Sequence, residues 1–273
     1  MLIGDRIAIP SDADPSAHLY CFDVRRGDLL WKVPFEQGVA TTLVAVGKRA
    51  LAVVSATGTV AALDSDSGKL LWSTKPGGSV AAIPRIQSPA ADDRRLFVAS
   101  NNGKVFAIDA RSGDVVWRKD LGSRVNASLT LIGKTLYAGA LDGLYLINPR
   151  SGAVTRKISV GGHVYGTLVS APPLLLLLAK SDRARIVAFD TVRGEIRWQR
   201  ETPREWSTFR PLVTGSIVIV GSEEKELCAF ALGDGAVRWC RSVGGVPRGL
   251  GSSADGMLFV GTLDGKVLAY RLE

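Results

Sequence analysis

One nine-residue pattern returns along this chain, and its spacing limits the folds open to it. The pattern begins with Asp, reaches Gly four residues later and ends in Trp after four more, as in residues 64–72, DSDSGKLLW. The pattern glycines of successive copies are separated by 41, 45, 39, 42 and 41 residues, at Gly27, Gly68, Gly113, Gly152, Gly194 and Gly235. A period near forty residues indicates one structural unit per repeat.

Each repeat holds four short apolar runs separated by turn residues, as expected for a four-stranded antiparallel meander. A single such sheet cannot bury both of its faces, so successive sheets must stack. Third-strand segments occur seven times and fourth-strand segments six times. We therefore predict an all-β, seven-bladed β-propeller of four-stranded antiparallel blades. The first blade is clipped in its first strand and the last lacks its fourth. No polar linker divides residues 1–273, so we expect a single domain.

The residues of the pattern have physical roles in a turn. The Asp side chain accepts hydrogen bonds from backbone N–H groups that follow it, and the Gly adopts positive φ without a Cβ clash. The Trp ring is large enough to cover a neighbouring blade while its N–H finds a carbonyl. We expect this structural docking role for Trp31, Trp72, Trp117, Trp198 and Trp239.

These copies resemble the tryptophan-docking repeat of the PQQ-like β-propeller family, and the resemblance covers the whole chain. It is clearest in Ala107, Asp109, Gly113 and Trp117. One branch of that family consists of quinoprotein dehydrogenases and another of non-catalytic, BamB-like outer-membrane assembly scaffolds. The resemblance is nearest in type to the scaffolds.

The dehydrogenase branch requires features that this sequence does not share. Members resemble one another in a pair of neighbouring cysteines and in Glu, Asn and Asp ligands for calcium, which prefers six or more oxygens. The chain has no Cys-Cys pair. Its two histidines, without paired cysteines, form no zinc pattern. We therefore expect no cofactor, no metal site and no catalytic residue.

The chain carries a formal net charge of +8 at pH 7. This charge favours an acidic protein or peptide partner. No run of five or six basic residues and no nucleic-acid motif occurs, so nucleic acid is not an expected partner. The apolar run at residues 172–179 is too short for a transmembrane segment and fits a buried second strand. We expect a monomer unless the edge of blade 7 pairs with another chain.

Three cysteines bear on the redox compartment. With Ala231 taken as facing Ala236, Cys228 faces Trp239 and is one residue out of register with Cys240. Residues one apart on a strand point to opposite faces, so we expect no Cys228–Cys240 disulfide. Cys21 takes the small-residue position of Ala62. Localisation stays open: cytoplasmic if Met1 is the natural start, and periplasmic if an upstream leader was lost.

Candidate site residues come from the starts of the first strands and from the loops before them. They form one basic and aromatic funnel face. Trp206 is the only Trp outside the repeated pattern, and it is either an aromatic anchor for a ligand or a core ring under a loop. The partner-binding candidates are Trp206, Arg210, Tyr165, His163, Arg248 and Arg124.

Two functions of different class remain. The first is a non-enzymatic scaffold that binds a protein or peptide partner, with a BamB-like role in envelope assembly. The alternative is a sensor propeller that binds a small ligand or retains degenerate quinone binding, severed from a larger kinase-fused protein. Oxygen ligands clustered on first strands would favour an enzyme, and none is seen there.

Overall fold

The computed structural model describes the chain except for residues 12–16, 36–42, 48, 56–57, 78–87, 203–204, 207, 209 and 273. The described residues form twenty-seven β-strands and no α-helix. In chain order these strands make six meanders of four antiparallel strands and a last one of three. The all-β class is therefore confirmed, and the strand count agrees with seven blades of which the last lacks a fourth strand.

The chain divides into two compact units, of which the first comprises Met1–Ala140 with Tyr145–Lys157. This first unit holds four sheets. Sheet 1 consists of β1 (Leu2–Ile3), β2 (Arg6–Pro10), β3 (His18–Asp23) and β4 (Leu29–Pro34). Sheet 2 consists of β5 (Val44–Val46), β6 (Ala50–Val54), β7 (Val60–Asp64) and β8 (Leu70–Thr74). Sheet 3 consists of β9 (Ala90–Ala91), β10 (Arg95–Ala99), β11 (Lys104–Asp109) and β12 (Val115–Asp120). Sheet 4 consists of β13 (Val125–Ile132), β14 (Thr135–Ala140), β15 (Gly143–Ile147) and β16 (Val154–Ile158).

The second unit comprises Leu141–Leu144 with Ile158–Glu273. Sheet 5 consists of β17 (His163–Ala171), β18 (Leu174–Lys180), β19 (Ala184–Asp190) and β20 (Glu195–Glu201). Sheet 6 consists of β21 (Leu212–Thr214), β22 (Ile217–Gly221), β23 (Glu226–Ala231) and β24 (Val237–Ser242). Sheet 7 consists of β25 (Pro247–Ser252), β26 (Met257–Thr262) and β27 (Val267–Arg271). The single-domain organisation of residues 1–273 remains a prediction.

The core of each unit lies on the second and third strands of the sheets. The leucine run of β18 is fully buried, as expected for a second strand rather than a membrane segment. Phe97, Phe106, Phe189 and Phe230 are the largest side chains buried almost completely. Because these inner strands alternate between two covered faces, almost every residue in them is apolar.

A β-bulge recurs where the third and fourth strands pair. In sheet 3, Ala107 lies opposite Trp117 but Ile108 lies opposite Val115, which leaves Val116 as the extra residue. The same shift occurs in sheets 1, 2, 5 and 6. A bulge inserts one residue into one strand and bends it. The residue before the pattern Trp is therefore the extra residue of a bulge in each of these five sheets.

The bulge overturns the expectation for the cysteines. In sheet 6 it lies between Ala229 and Phe230, so Cys228 pairs directly with Cys240 and not with Trp239. The two cysteines form a disulfide with a Cα–Cα distance of 4.1 Å. The prediction of no disulfide was wrong because it assumed an unbroken register from the turn. Cys21 is free and buried, in keeping with its small-residue position.

Candidate partner-binding face

The repeated pattern joins successive sheets in four places, each within one unit. The indole Nε1 of Trp72 donates to the carbonyl of Ala110 in sheet 3 at 2.9 Å. Its ring also covers Gly113, where an added Cβ would lie 2.8 Å from Trp72 Cε3. The same pair of contacts joins Trp31 to sheet 2, Trp117 to sheet 4 and Trp198 to sheet 6. The pattern Gly is therefore needed both for its positive φ and for the ring that lies on it.

The pattern Asp closes the turn that presents this Gly. In sheet 3, Asp109 Oδ1 accepts from the backbone N–H of Arg111 at 2.9 Å and of Ser112 at 3.1 Å. These bonds, that of Arg111 first, hold the pKa of Asp109 below its ordinary value. Asn148 accepts equivalent bonds in sheet 4. The side-chain oxygen, rather than its charge, is what the turn requires.

Two of the predicted candidates lie together on the first strand of sheet 5. His163 begins β17 and is exposed, and its Nδ1 donates to the carbonyl of Leu141. Tyr165 is half-buried, and its ring meets that of His163 edge-on with centroids 6.2 Å apart. The pair presents a polar edge over an apolar base. Such side chains suit contact with a peptide.

A row of charged side chains continues from this aromatic pair across the second unit. His163 pairs in register with Lys180, whose Nζ donates to Glu205 at 2.7 Å. Glu205 in turn accepts through its carbonyl from the backbone N–H of Glu223 at 3.0 Å. Glu223 is held by both terminal nitrogens of Arg248, at 2.8 and 3.4 Å. We call Lys180, Glu205, Glu223 and Arg248 the charged row.

The charged row adds two carboxylates to the face that the sequence predicted as basic and aromatic. Arg248, one of the predicted partner-binding candidates, is paired with Glu223 in the structure. Lys180, Glu205 and Glu223 were absent from the prediction, because only the packing of adjacent sheets brings their turns together. The signal for these three residues in the sequence was weak. Lys180 ends β18, Glu205 lies between β20 and β21, and Glu223 follows β22.

Trp206 lies in the core rather than on the surface. Its side chain is 8% exposed and packs in a cluster with Leu176, Trp198 and Phe230. Its backbone forms an isolated antiparallel bridge with Ser222. Of the two interpretations left open by the sequence, the structure agrees with the core ring under a loop. Its Nε1 has no hydrogen-bond partner among the described residues.

The two remaining candidates are exposed arginines in different units. Arg210 lies just before β21 in the second unit and forms no ion pair with any described residue. Arg124 immediately precedes β13 in the first unit. The structure therefore brings His163, Tyr165 and Arg248 to one edge of the second unit. Arg210 lies in the segment that connects sheets 5 and 6. Around Trp206 and Arg210, residues 203–204, 207 and 209 lie outside the described part of the chain.

Metal-binding clusters and membrane-spanning helices would each point to a different class of function. Among the described residues, no group of three or more His, Cys, Asp or Glu side chains is arranged to hold a metal ion. Within the same part of the chain, no helix has the length and apolar content that crossing a membrane demands.

The repeated sheets and the ring-on-glycine contacts between them define a β-propeller protein of the PQQ-like class. The family model described as outer membrane protein assembly factor BamB matches residues 15–239 and, in an overlapping match, residues 144–273. The chain therefore belongs to this family. No curated protein sequence matches the chain.

Solved structures show the same fold at low sequence identity. BamB from Moraxella catarrhalis is 20% identical, with a TM-score of 0.76 over 98% of this chain and 82% of that one. The computationally designed Ika8 protein is 16% identical, with a TM-score of 0.78 over 97% and 80%. Dihydro-heme d1 dehydrogenase NirN in complex with DHE is 14% identical, with a TM-score of 0.80 over 98% and 61%. These likenesses include both an assembly factor and an enzyme.

Proposed function

We propose that this protein is a non-enzymatic scaffold that binds a protein or peptide partner and serves in outer-membrane protein assembly. The family description supports the assembly role, since it names an outer membrane protein assembly factor. The fold supports the scaffold role, because stacked sheets joined by buried rings form a rigid support for surface loops.

The observation that carries this proposal is the charged row with the aromatic pair beside it. Glu205 and Glu223 fix Lys180 and Arg248 in position, at 2.7 and 2.8 Å. A partner therefore meets side chains that are already ordered, which lowers the entropic cost of binding. His163 and Tyr165 add apolar area at one end of the row.

We assign the attraction of an acidic partner to Arg210 rather than to Arg248. The guanidinium of Arg210 is exposed and has no carboxylate partner among the described residues, whereas Arg248 is bound to Glu223. An Arg fork binds a carboxylate through two parallel hydrogen bonds. Binding should weaken as salt rises through the physiological range, where the screening length is about 8 Å.

The disulfide supports an oxidising compartment for this function. Cys228 and Cys240 are joined, while Cys21 is buried away from solvent. Disulfides persist in the periplasm and are rare in the cytosol, where thiols are kept reduced. A periplasmic site of action fits an outer-membrane assembly role.

The fold also supports ligand-bound enzymes, as the likeness to NirN in complex with DHE shows for that protein. A sensor propeller that binds a small ligand is therefore the second candidate. Purified protein with added pyrroloquinoline quinone and calcium should show no alcohol dehydrogenase activity and no change in melting temperature. A quinone-dependent rise in melting temperature would favour the second candidate.

Site-specific photo-crosslinking in cells tests the scaffold proposal directly. A benzoylphenylalanine at position 210 should give one discrete crosslinked protein, and the same group at the exposed turn residue Arg111 should not. Charge reversal by Arg210→Glu should reduce capture of that protein, and Arg111→Glu should not. Equal crosslinking from both positions, or none from position 210, would contradict the proposal.

A further inference from the structure

Sheet 7 presents an unpaired strand edge. Among the described residues, β27 pairs with β26 only, whereas the third strand of every other sheet lies between two neighbours. The third strands of sheets 2 to 6 are mostly buried, as in β11, while β27 is exposed along most of its length. Val267 is 77% exposed and Tyr270 is 36% exposed. An unpaired edge of this kind offers backbone donors and acceptors to another chain.

A groove lies beside this edge, between sheets 6 and 7. It has a volume of about 100 Å³, and its apolar lining includes Leu227, Trp239, Leu258, Tyr270 and Leu272. Trp239 is the pattern Trp of sheet 6 and is half-buried, as Trp117 is. The other four pattern Trp rings each cover a Gly and donate to a carbonyl of the following sheet. No described carbonyl accepts from Trp239 Nε1.

The charge around the groove is positive. Arg241 and Arg271 line it, and neither has a carboxylate partner among the described residues. Arg241 instead lies over the Trp239 ring, with its Cζ 5.5 Å from the ring centroid. Lys266 at the start of the same edge is already paired with Asp264 at 2.6 Å. An occupant with a carboxylate would therefore meet two guanidinium groups that no described carboxylate neutralises.

We propose that the edge of β27 and the Trp239 groove bind an extended, acidic segment of a protein partner, which adds a fourth strand to sheet 7. This inference rests on the proposed scaffold function and names a second surface for it, at the edge of sheet 7. The occupant pairs its backbone with β27, places an apolar side chain against Trp239 and sets a carboxylate near Arg241. Main-chain bonds provide the affinity in such strand addition, and the pocket provides the specificity.

The fourth strands of the other sheets indicate which side chain of a partner strand would fit beside β27. In five of the sheets the fourth strand places its Trp opposite a small residue of the third strand, as Trp117 lies opposite Ala107. In β27 the corresponding small residue is Ala269, which pairs with Phe259 on its other side. A partner strand with a large apolar residue opposite Ala269 would repeat that arrangement.

A synthetic peptide tests the proposal on the intact protein. The probe is the sequence of residues 113–120, GDVVWRKD, with Arg and Lys replaced by Glu. It should bind in fluorescence anisotropy and slow amide exchange selectively in β27. A peptide of the same sequence with alternate backbone amides N-methylated should bind at least about tenfold more weakly, a loss of about 1.4 kcal/mol. That control keeps the side chains and removes the ladder donors.

Two variants locate the site. Arg241→Glu should weaken binding of the acidic peptide, whereas Lys119→Glu, two residues after Trp117 on the already paired β12, should not. Equal binding of both peptides, or slowed exchange that is not confined to β27, would overturn the proposal. Concentration-dependent dimerisation that protects β27 would also overturn it, by assigning the edge to a second copy. Crosslinking from position 210 is read separately, so failure here leaves the scaffold proposal standing.

Discussion

Trp72 of sheet 2 lies directly on Gly113 of sheet 3, so closely that no side chain fits between them. An added Cβ would be 2.8 Å from Trp72 Cε3, and Gly113 also has a φ of +80°. One residue therefore meets two separate demands, one of backbone conformation and one of space.

Replacing Gly113 by Ala should separate these demands when compared with Gly27→Ala. Gly27 has a similar φ of +74°, but nothing lies within 4 Å of its added Cβ. Gly27→Ala should cost only the left-handed backbone strain, about 1–2 kcal/mol. Gly113→Ala should cost an additional 1–3 kcal/mol, roughly the cost of overpacking a filled site. Urea unfolding of both variants measures the difference, and equal losses would show that the ring contact has no energetic weight.

Truncating a pattern Trp to Ala should show how much its ring stabilises the contact with the following sheet. Trp72→Ala should cost about 3–5 kcal/mol, because it removes a buried ring and its hydrogen bond to Ala110. Trp239→Ala should cost clearly less, since that ring covers no glycine of sheet 7 and donates to no described carbonyl. Thermal melts of the two variants give the comparison. A larger loss for Trp239→Ala would show that sheet 7 covers this ring as completely as sheet 3 covers Trp72.

Much of the fold followed from the sequence because the repeat carries its own physical explanation. A turn Asp, a Gly and a Trp at fixed spacing predict four strands per repeat, and six of the seven sheets have four strands. The BamB-like family assignment was likewise correct. These features depend on residues close together in the chain, which is why the pattern alone reveals them.

The features that could not be predicted depend on register or on contacts between turns. The bulge before each Trp shifts the pairing by one residue, so the register assumed for Cys228 was wrong. Glu205 and Glu223 fix the charged row only because turns of adjacent sheets meet. Burial of Trp206 likewise depends on how its loop folds over sheets 5 and 6.

Acid should destabilise the protein in part through its turn carboxylates. Hydrogen bonds hold the pKa of Asp109 below its ordinary value, led by the backbone N–H of Arg111. The ionised form is thus favoured in the folded state, so this stabilisation is present above the unfolded pKa of about 3.9. It is lost as the pH falls through the lower folded pKa. Asp23, Asp64 and Asp190 should contribute in the same direction.

The variant Asp109→Asn should therefore reduce the difference in unfolding free energy between pH 7 and pH 3. Its side-chain oxygen still accepts the turn bonds, as Asn148 does in sheet 4. The neighbouring Asp114→Asn serves as the control, because that exposed side chain makes no hydrogen bond within the described residues. Urea titrations at the two pH values provide the measurement. An unchanged pH difference for Asp109→Asn would show that its carboxylate is not a source of acid sensitivity.

The disulfide between Cys228 and Cys240 should be the one covalent cross-link formed by the three cysteines. Alkylation in denaturant without reductant should label Cys21 alone, and prior reduction should add labels at the other two positions. In the folded protein Cys21 should resist labelling, because its thiol is buried and burial raises its pKa.

The cross-link closes a separation of 12 residues, and a loop of that size adds about 3 kcal/mol of stability. Cys240→Ser should therefore lower the unfolding free energy by up to about that amount, whereas dithiothreitol should produce no further loss in that variant. Labelling of all three cysteines without reductant would show that the Cys228–Cys240 disulfide is not formed.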